Sequence, residues 1–115
     1  MREALRDPSR LRHILDSINN VNQYMDGKTE SDLLSNSMLY FAVVKNIEIV
    51  GEAAYKLTLE FKEKHPATPW RQIVAMRHIL VHGYYQVSAS EIYNVYKNDL
   101  PILLSQISSY LKEIS

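Results

Sequence analysis

The sequence predicts an all-α fold, an up-and-down four-helix bundle with a short additional helix, formed by a single domain over residues 1–115. Apolar side chains recur at every third or fourth position through most of the chain, which is the period of amphipathic helices. Helix-start signals precede several of these segments, as in T-E-S-D at 29–32 and S-A-S-E at 88–91. No segment alternates apolar and polar residues as a half-buried strand does.

The first helix is predicted to begin around Pro8 and to end near Gly27. Its apolar face comprises Leu11, Ile14, Leu15, Ile18 and Val21. This spacing predicts that the face packs against the core of the bundle. His13 lies on the same helix and is expected to be a surface or partly buried residue without a catalytic role.

The longest periodic segment is predicted to be one helix that opens at Thr29 and continues to Lys64. One apolar stripe contains Leu33, Tyr40, Val44, Ile47, Gly51 and Phe61, and a second contains Leu39, Val43, Val50, Ala54 and Leu57. A helix that is apolar on two sides is buried from two sides, so we expect one stripe to face the core and the other to face a second subunit. Gly51 lowers helix stability by about 1 kcal/mol relative to Ala, which predicts that another backbone approaches closely there.

The third helix is predicted to start with Thr68 at the N-cap and Pro69 at the first helical position. It is predicted to end near His82, with Gly83 in the left-handed conformation that follows many helices. Trp70 is expected to anchor the helix start in the core, with base stacking as the alternative.

The remaining helices are predicted from the Ser88 N-cap signal and from the apolar spacing of residues 102–114. Pro101 lies between them and is expected to restart or kink the helix, because proline lacks a backbone N–H.

The charge of the chain is evenly balanced overall but unevenly distributed. The formal net charge is zero, which argues against a protein that coats nucleic acid through bulk electrostatics. No Asp or Glu occurs from residue 64 to residue 90, whereas that window contains Lys64, Arg71, Arg77, His65, His78 and His82. Such a local basic region suits a nuclease that acts at one phosphate, although chance clustering is the alternative.

The compartment follows from what the sequence lacks. There is no cysteine, the N-terminal segment is charged, and no apolar run reaches the roughly 18 residues of a membrane span. We therefore expect a soluble cytoplasmic protein with no membrane contact.

Arg77 and His82 are the candidate catalytic residues. Arginine carries a permanent charge suited to a phosphate, and histidine can transfer a proton near neutral pH. On a straight helix the two side chains point about 140° apart, at about 100° per residue. They therefore converge only if the helix ends near His82, or if a second chain contributes its own copy.

Lys45, Glu48, Glu52 and Lys56 follow one another on the long helix at spacings of three or four residues. The simpler interpretation is a solvent-exposed strip of ion pairs within the helix. The alternative is that Glu52 lies beside the Arg77/His82 cleft and orients one of these residues. A metal site is not expected, because Glu48 and Glu52 lack further ligands on this helix.

The segment R-H-I-L-V-H-G-Y, which starts at Arg77, resembles the R-x4-H-x-Y motif of the HepT toxins, ribonucleases of the HEPN superfamily. Three further blocks resemble that family in the same order: A-V-V-K-N-I-E-I-V-G-E-A-A from Ala42, P-A-T-P-W-R-Q-I from Pro66 and N-D-L-P from Asn98. The resemblance covers most of the chain.

The resemblance implies a homodimeric, metal-independent endoribonuclease that needs no cofactor and has Arg77 and His82 in the cleft between subunits. The RNA would be cut by attack of its own 2′-OH. Arg71 in the basic window and His78 in the motif are assigned to substrate binding. For His78, a structural hydrogen bond to a neighbouring backbone or subunit is the alternative.

Tyr84 has three interpretations: a bundle residue, a residue that orients His82 or binds substrate, and a modification site. The resemblance favours the third, in which a minimal nucleotidyltransferase, the antitoxin, adenylylates this tyrosine. A different class of function also stays open. The chain could be a non-catalytic nucleotide-binding or protein-interaction module that docks the nucleotidyltransferase.

Overall fold

The computed structural model describes residues 5–83 and 87–114, and within these ranges the chain is helical with no strand. The elements are α1 (Asp7–Met25), α2 (Glu30–Ser35), α3 (Ser37–Lys56), α4 (Leu59–Lys64), α5 (Trp70–Gly83), α6 (Ala89–Asn94), a π-helical segment (Val95–Asp99) and α7 (Leu100–Ile114). The four long helices are α1, α3, α5 and α7, which confirms the predicted all-α bundle. The short helices are more numerous than the one expected.

Helix α3 lies at the centre of the bundle, with α1 packed on one side and α5 on another, while α1 also packs against α7. Both apolar stripes of α3 are therefore covered within one chain, as the burial of Val43, Val44, Ile47, Val50 and Ala54 shows. The two-sided pattern that led us to expect a second subunit is explained by α1 and α5 instead. None of the described helices has the length and apolar character needed to cross a bilayer.

The predicted continuous helix from Thr29 to Lys64 is wrong, because the chain breaks twice within it. The capping box at Thr29 is confirmed, but it opens only the six-residue α2. Asn36 then leaves helical geometry (φ −116°, ψ 100°) and caps α3, and Thr58 caps α4. Buried Asp7 fixes the second break, since its carboxylate accepts hydrogen bonds from the Thr58 backbone N–H (3.0 Å) and hydroxyl (2.7 Å). Periodicity persists across such breaks because the short helices pack on the same core.

Helix α5 begins at Trp70, so the prediction that Thr68 caps it is wrong. The Thr68 hydroxyl is buried and bonds to α7 instead, at 2.8 Å from Gln106 Oε1 and 2.6 Å from the Tyr110 hydroxyl. The predicted core role of Trp70 is confirmed: the residue is 8% exposed, and its Nε1 donates to the His65 carbonyl (3.0 Å).

Pro101 perturbs the last helix as expected. It lies in the first turn of α7, directly after the π-helical segment Val95–Asp99. Proline removes one donor and its ring would clash with a carbonyl one turn earlier in a regular α-helix, and the wider π turn accommodates both effects.

Candidate functional site

Helix α5 carries the candidate residues, and it remains regular through Gly83. The expectation of a left-handed Gly83 is wrong, since among the described residues only Gly27 has a positive φ (72°). Because His82 lies inside a continuous helix, it points about 140° from Arg77. Helix α5 ends at Gly83, so the prediction that it ends near His82 is confirmed. His82 itself is still helical, however, so this end does not bring Arg77 and His82 together within one chain.

Arg77 lies against α3 at the position of Gly51. A Cβ added to Gly51 would lie 2.3 Å from Arg77 Cβ and 3.1 Å from the Ile73 carbonyl oxygen. Atoms this close cannot coexist, so the missing side chain is what allows α5 to approach α3. The predicted close approach at Gly51 is confirmed, and the approaching element belongs to the same chain.

The guanidinium of Arg77 forms an ion pair with Glu52 on α3. Arg77 Nη2 lies 2.7 Å from Glu52 Oε2, with 31% of the arginine side chain and 39% of the glutamate side chain exposed. Glu52 also pairs with Lys56 at 3.4 Å, so part of the strip of ion pairs within the helix is present too. A guanidinium has five N–H donors, and this contact leaves donors available for a further anion.

His78 and His82 lie one turn apart on α5, and both are exposed. Their ring centroids are 4.6 Å apart and the ring planes are inclined by 52°. Exposed Arg71 lies on the same face of α5 as His78, because the spacing of seven positions between them makes nearly two helical turns. The structure thus brings Arg77 together with Glu52 and brings His82 together with His78, on two different faces of α5.

A surface depression of about 390 Å³ lies between α3 and α5. Its lining residues are Phe41, Val44, Lys45, Glu48, Leu80 and Val81. Glu52, which pairs with Arg77, lies one helical turn beyond Glu48 on α3. Sequence reasoning missed this depression, although the spacing of Phe41, Lys45 and Glu48 places all three on one face of α3.

The site is less basic than the sequence window suggests. Residues 64–90 contain no Asp or Glu, but Glu52, which lies outside this range on α3, places a carboxylate directly against Arg77. Among the described residues, no three His, Cys, Asp or Glu side chains form a group that could hold a metal ion.

Tyr40 fixes the backbone that follows the motif. Its hydroxyl donates to the Val87 carbonyl at 2.9 Å. Burial raises the pKa of Tyr40, with a further contribution from the nearby Glu91 carboxylate. Tyr84, the predicted adenylylation site, lies outside the described residues.

The family described as ribonuclease HepT-like matches residues 14–110, a range that contains all of α5 and Glu52. The chain belongs to the HepT-like ribonuclease family. The resemblance seen in the motif blocks is thereby confirmed.

Three relatives illustrate the range of HepT-like proteins that this chain resembles. A Methanocaldococcus jannaschii protein named "gamma-glutamylcyclotransferase and putative RNase" is 38% identical over 90% of this chain and 47% of its own length. A "putative RNase" of Caldanaerobacter subterraneus subsp. tengcongensis is 33% identical, over 90% of this chain and 92% of its own length. A "probable ribonuclease HepT" of Thermococcus cleftensis is 30% identical, over 89% and 93%.

The chain spans about half of the length of the first of these relatives and nearly all of the other two. No solved structure matches the chain.

Proposed function

We propose that this protein is the toxin of a toxin–antitoxin pair, a metal-independent endoribonuclease that acts in the cytoplasm as a homodimer. Arg77 and His82 are its catalytic residues, and Arg71 and His78 contact the RNA. A minimal nucleotidyltransferase is its antitoxin and neutralises it by adenylylating Tyr84. The observation that carries the proposal is the family match across α5, together with a partly exposed Arg77 and an exposed His82 on that helix.

The reaction uses the RNA's own 2′-OH as the nucleophile. The 2′ oxygen bonds to the adjacent phosphorus, the bond from phosphorus to the 5′ oxygen breaks, and the products are a 2′,3′-cyclic phosphate and a 5′-OH. His82 as general acid donates a proton to the departing 5′ oxygen, while water or a symmetry-related His82 accepts the proton of the 2′-OH. Arg77 stabilises the extra negative charge that develops on the phosphate.

The Arg77–Glu52 contact supports this role for the arginine. Glu52 holds one edge of the guanidinium, and the exposed third of the side chain leaves room for a phosphate oxygen. Fixing a charged donor before the substrate arrives reduces the reorganisation needed in the transition state.

The direction of the side chains supports a homodimer. On the continuous helix α5, Arg77 and His82 point about 140° apart. They can still meet if two chains share a site, with Arg77 from one subunit and His82 from the other. Phe41 (52% exposed) and Val81 (41%) line the depression between α3 and α5, and Ile79 (48%) projects about 60° from His82 on α5. Exposed apolar side chains therefore lie near both catalytic residues, as contact with a second subunit requires.

The direct test compares RNA cleavage by the wild type, Arg77→Ala and His82→Ala in the presence of EDTA. We expect the wild type to release fragments with 2′,3′-cyclic phosphate ends, each variant to lose at least about 100-fold in rate, and DNA to resist. Arg12→Ala and His13→Ala, which change the same residue types at exposed positions of α1, are the matched controls. Equal cleavage by all variants, or complete loss with EDTA alone, would contradict the mechanism.

The composite site is tested by mixing the two inactive variants. A heterodimer of Arg77→Ala and His82→Ala retains one intact composite site, so an equal mixture should recover about a quarter of wild-type activity. If both residues act within one chain, no subunit in the mixture has a complete site and activity stays absent. A monomeric mass in solution would also contradict the composite site.

Adenylylation is tested with the partner nucleotidyltransferase and ATP. The Tyr84 oxygen would attack the α-phosphate of ATP and release pyrophosphate, and the bulk and negative charge added to the motif would oppose binding of the RNA phosphate. Mass spectrometry should locate AMP on Tyr84, and Tyr84→Phe should abolish it while the neighbouring Tyr85→Phe keeps it. Unchanged labelling of Tyr84→Phe would exclude this acceptor. A partner that binds a chain with no ribonuclease activity would favour the docking module instead.

A further inference from the structure

The two exposed imidazoles of α5 form an arrangement that the ribonuclease reaction does not require. His78 and His82 are four residues apart on one helix, and their ring centroids lie 4.6 Å apart. Residues at this spacing lie one above the other on the same helical face. In the proposed reaction the proton passes through the His82 ring, and contact of His78 with RNA does not require the two rings to lie side by side.

Two imidazoles one helical turn apart are a chelating pair for a divalent transition metal. Each neutral ring offers one nitrogen lone pair, and Zn–N bonds of about 2.0–2.1 Å bring the two donor nitrogens to roughly 3–4 Å from each other. Rings with centroids 4.6 Å apart can present nitrogens at that separation through small side-chain rotations. The same pairing on a helix provides two of the zinc ligands in H-E-x-x-H metalloproteases.

We propose that His78 and His82 bind one Zn²⁺, or a similar divalent transition metal, with water in the remaining coordination positions. Within the described residues no third His, Cys, Asp or Glu completes a closed site. The pair therefore forms an open, exchangeable site, in contrast to the closed four-ligand sites that stabilise folds.

A metal at this position would act against the ribonuclease reaction. The lone pair of His82 that coordinates Zn²⁺ is no longer available to carry the proton for the departing 5′ oxygen. Zinc would therefore inhibit RNA cleavage, and EDTA would restore it. This consequence rests on the proposed function, whereas metal binding itself does not.

The binding test titrates Zn²⁺ into the untagged full chain at neutral pH by isothermal calorimetry. We expect saturation at one Zn²⁺ per chain in the micromolar range, and affinity weakened by about tenfold or more in His78→Ala and in His82→Ala because each loses the chelate. His13→Ala, at an exposed position of α1, should bind as the wild type does. Circular dichroism of each variant verifies folding, which these exposed substitutions should not disturb.

The two proposals fail separately in this design. Absent saturation, or equal zinc affinity in wild type, His78→Ala and His82→Ala, would overturn the metal site whatever the chain does to RNA. Zinc binding by the His pair in a chain that cleaves no RNA would instead leave the metal site intact and remove the ribonuclease. In an active wild type, cleavage that is unaffected at saturating zinc would overturn the inhibitory consequence.

Discussion

Replacing Gly51 by Ala tests whether the contact between α3 and α5 positions Arg77. In an exposed helix this change stabilises the protein by about 1 kcal/mol, because glycine loses more backbone freedom on folding. Here the new Cβ would lie 2.3 Å from Arg77 Cβ, more than 1 Å inside ordinary van der Waals contact. Arg77 Cβ is fixed to the α5 backbone, so relief requires α5 to move away from α3.

The gain in helix propensity stabilises the variant and the overlap with Arg77 destabilises it. We expect the overlap to have the larger effect. Overpacking a close contact costs about 1–3 kcal/mol, which leaves a net destabilisation of about 1 kcal/mol after the gain in helix propensity. For a chain of this size that lowers the melting temperature by roughly 4 °C. The displaced Arg77 should also lower the rate of RNA cleavage.

Thermal unfolding followed by circular dichroism measures this effect, and a double-mutant cycle assigns it. Arg77→Gly is the one substitution at that position that removes the overlapping Cβ, so the combination Gly51→Ala/Arg77→Gly should be less destabilised than the sum of the single changes by about 1 kcal/mol. A higher melting temperature for Gly51→Ala, or strict additivity in the cycle, would refute the close-contact reasoning.

Three further predictions concern neighbouring contacts. Glu52→Gln should lower kcat for RNA by at most about fivefold without raising KM, because a half-exposed ion pair contributes about 0–1 kcal/mol to positioning Arg77 while its negative charge opposes the phosphate. Tyr40→Phe should lower the free energy of unfolding by about 1 kcal/mol, because the Val87 carbonyl loses its hydrogen bond. For Asp32, hydrogen bonds from Thr29 hold the carboxyl pKa below 3.8, so its contribution to stability is full above that value and is lost as pH falls through the folded-state pKa. The difference in melting temperature between wild type and Asp32→Asn should therefore be constant above about pH 5 and shrink below 3.8.

Each of these three changes has a matched control. Glu48→Gln removes a carboxylate one turn from Glu52 and should leave kcat unchanged. Tyr55→Phe alters a tyrosine that is 61% exposed and should not affect unfolding. Glu30→Gln changes an acidic residue in the first turn of the same helix and leaves the hydrogen bonds between Thr29 and Asp32 in place, so the effect of pH through Asp32 should persist in this variant. A rise in KM for Glu52→Gln at unchanged kcat would assign that residue to substrate binding. Loss of stability in Tyr55→Phe equal to that in Tyr40→Phe would remove the Val87 explanation.

Local signals in the sequence predicted the helices more accurately than their ends. The cap at Thr29 and the break at Pro101 follow from chemistry within a few residues, and both are present. The breaks at Asn36 and Thr58 were missed. Asn36 is a local cap that the periodic pattern obscured, whereas the partner that fixes Thr58 is Asp7, some fifty residues earlier in the chain.

In the candidate site, too, the features set by nearby residues could be predicted and those set by residues distant in sequence could not. Arg77 and His82 could be selected from the sequence because an arginine, a histidine and their spacing form a motif that needs no tertiary information. The ion pair between Arg77 and Glu52 was only an alternative, since it joins residues 25 positions apart on different helices. The pairing of His78 with His82 follows from helix geometry, although only the structure shows α5 continuing through Gly83.

The sequence by itself determined that this protein is a helical bundle of the HepT-like family, because helix period, caps and motif are properties of neighbouring residues. The tertiary structure decided which faces are covered and which charges meet. Both apolar stripes of α3 are covered by helices of the same chain, and α5 packs against α3 at Gly51. The physical reason is that close packing and ion pairing depend on how helices cross, and residues distant in sequence fix that crossing together.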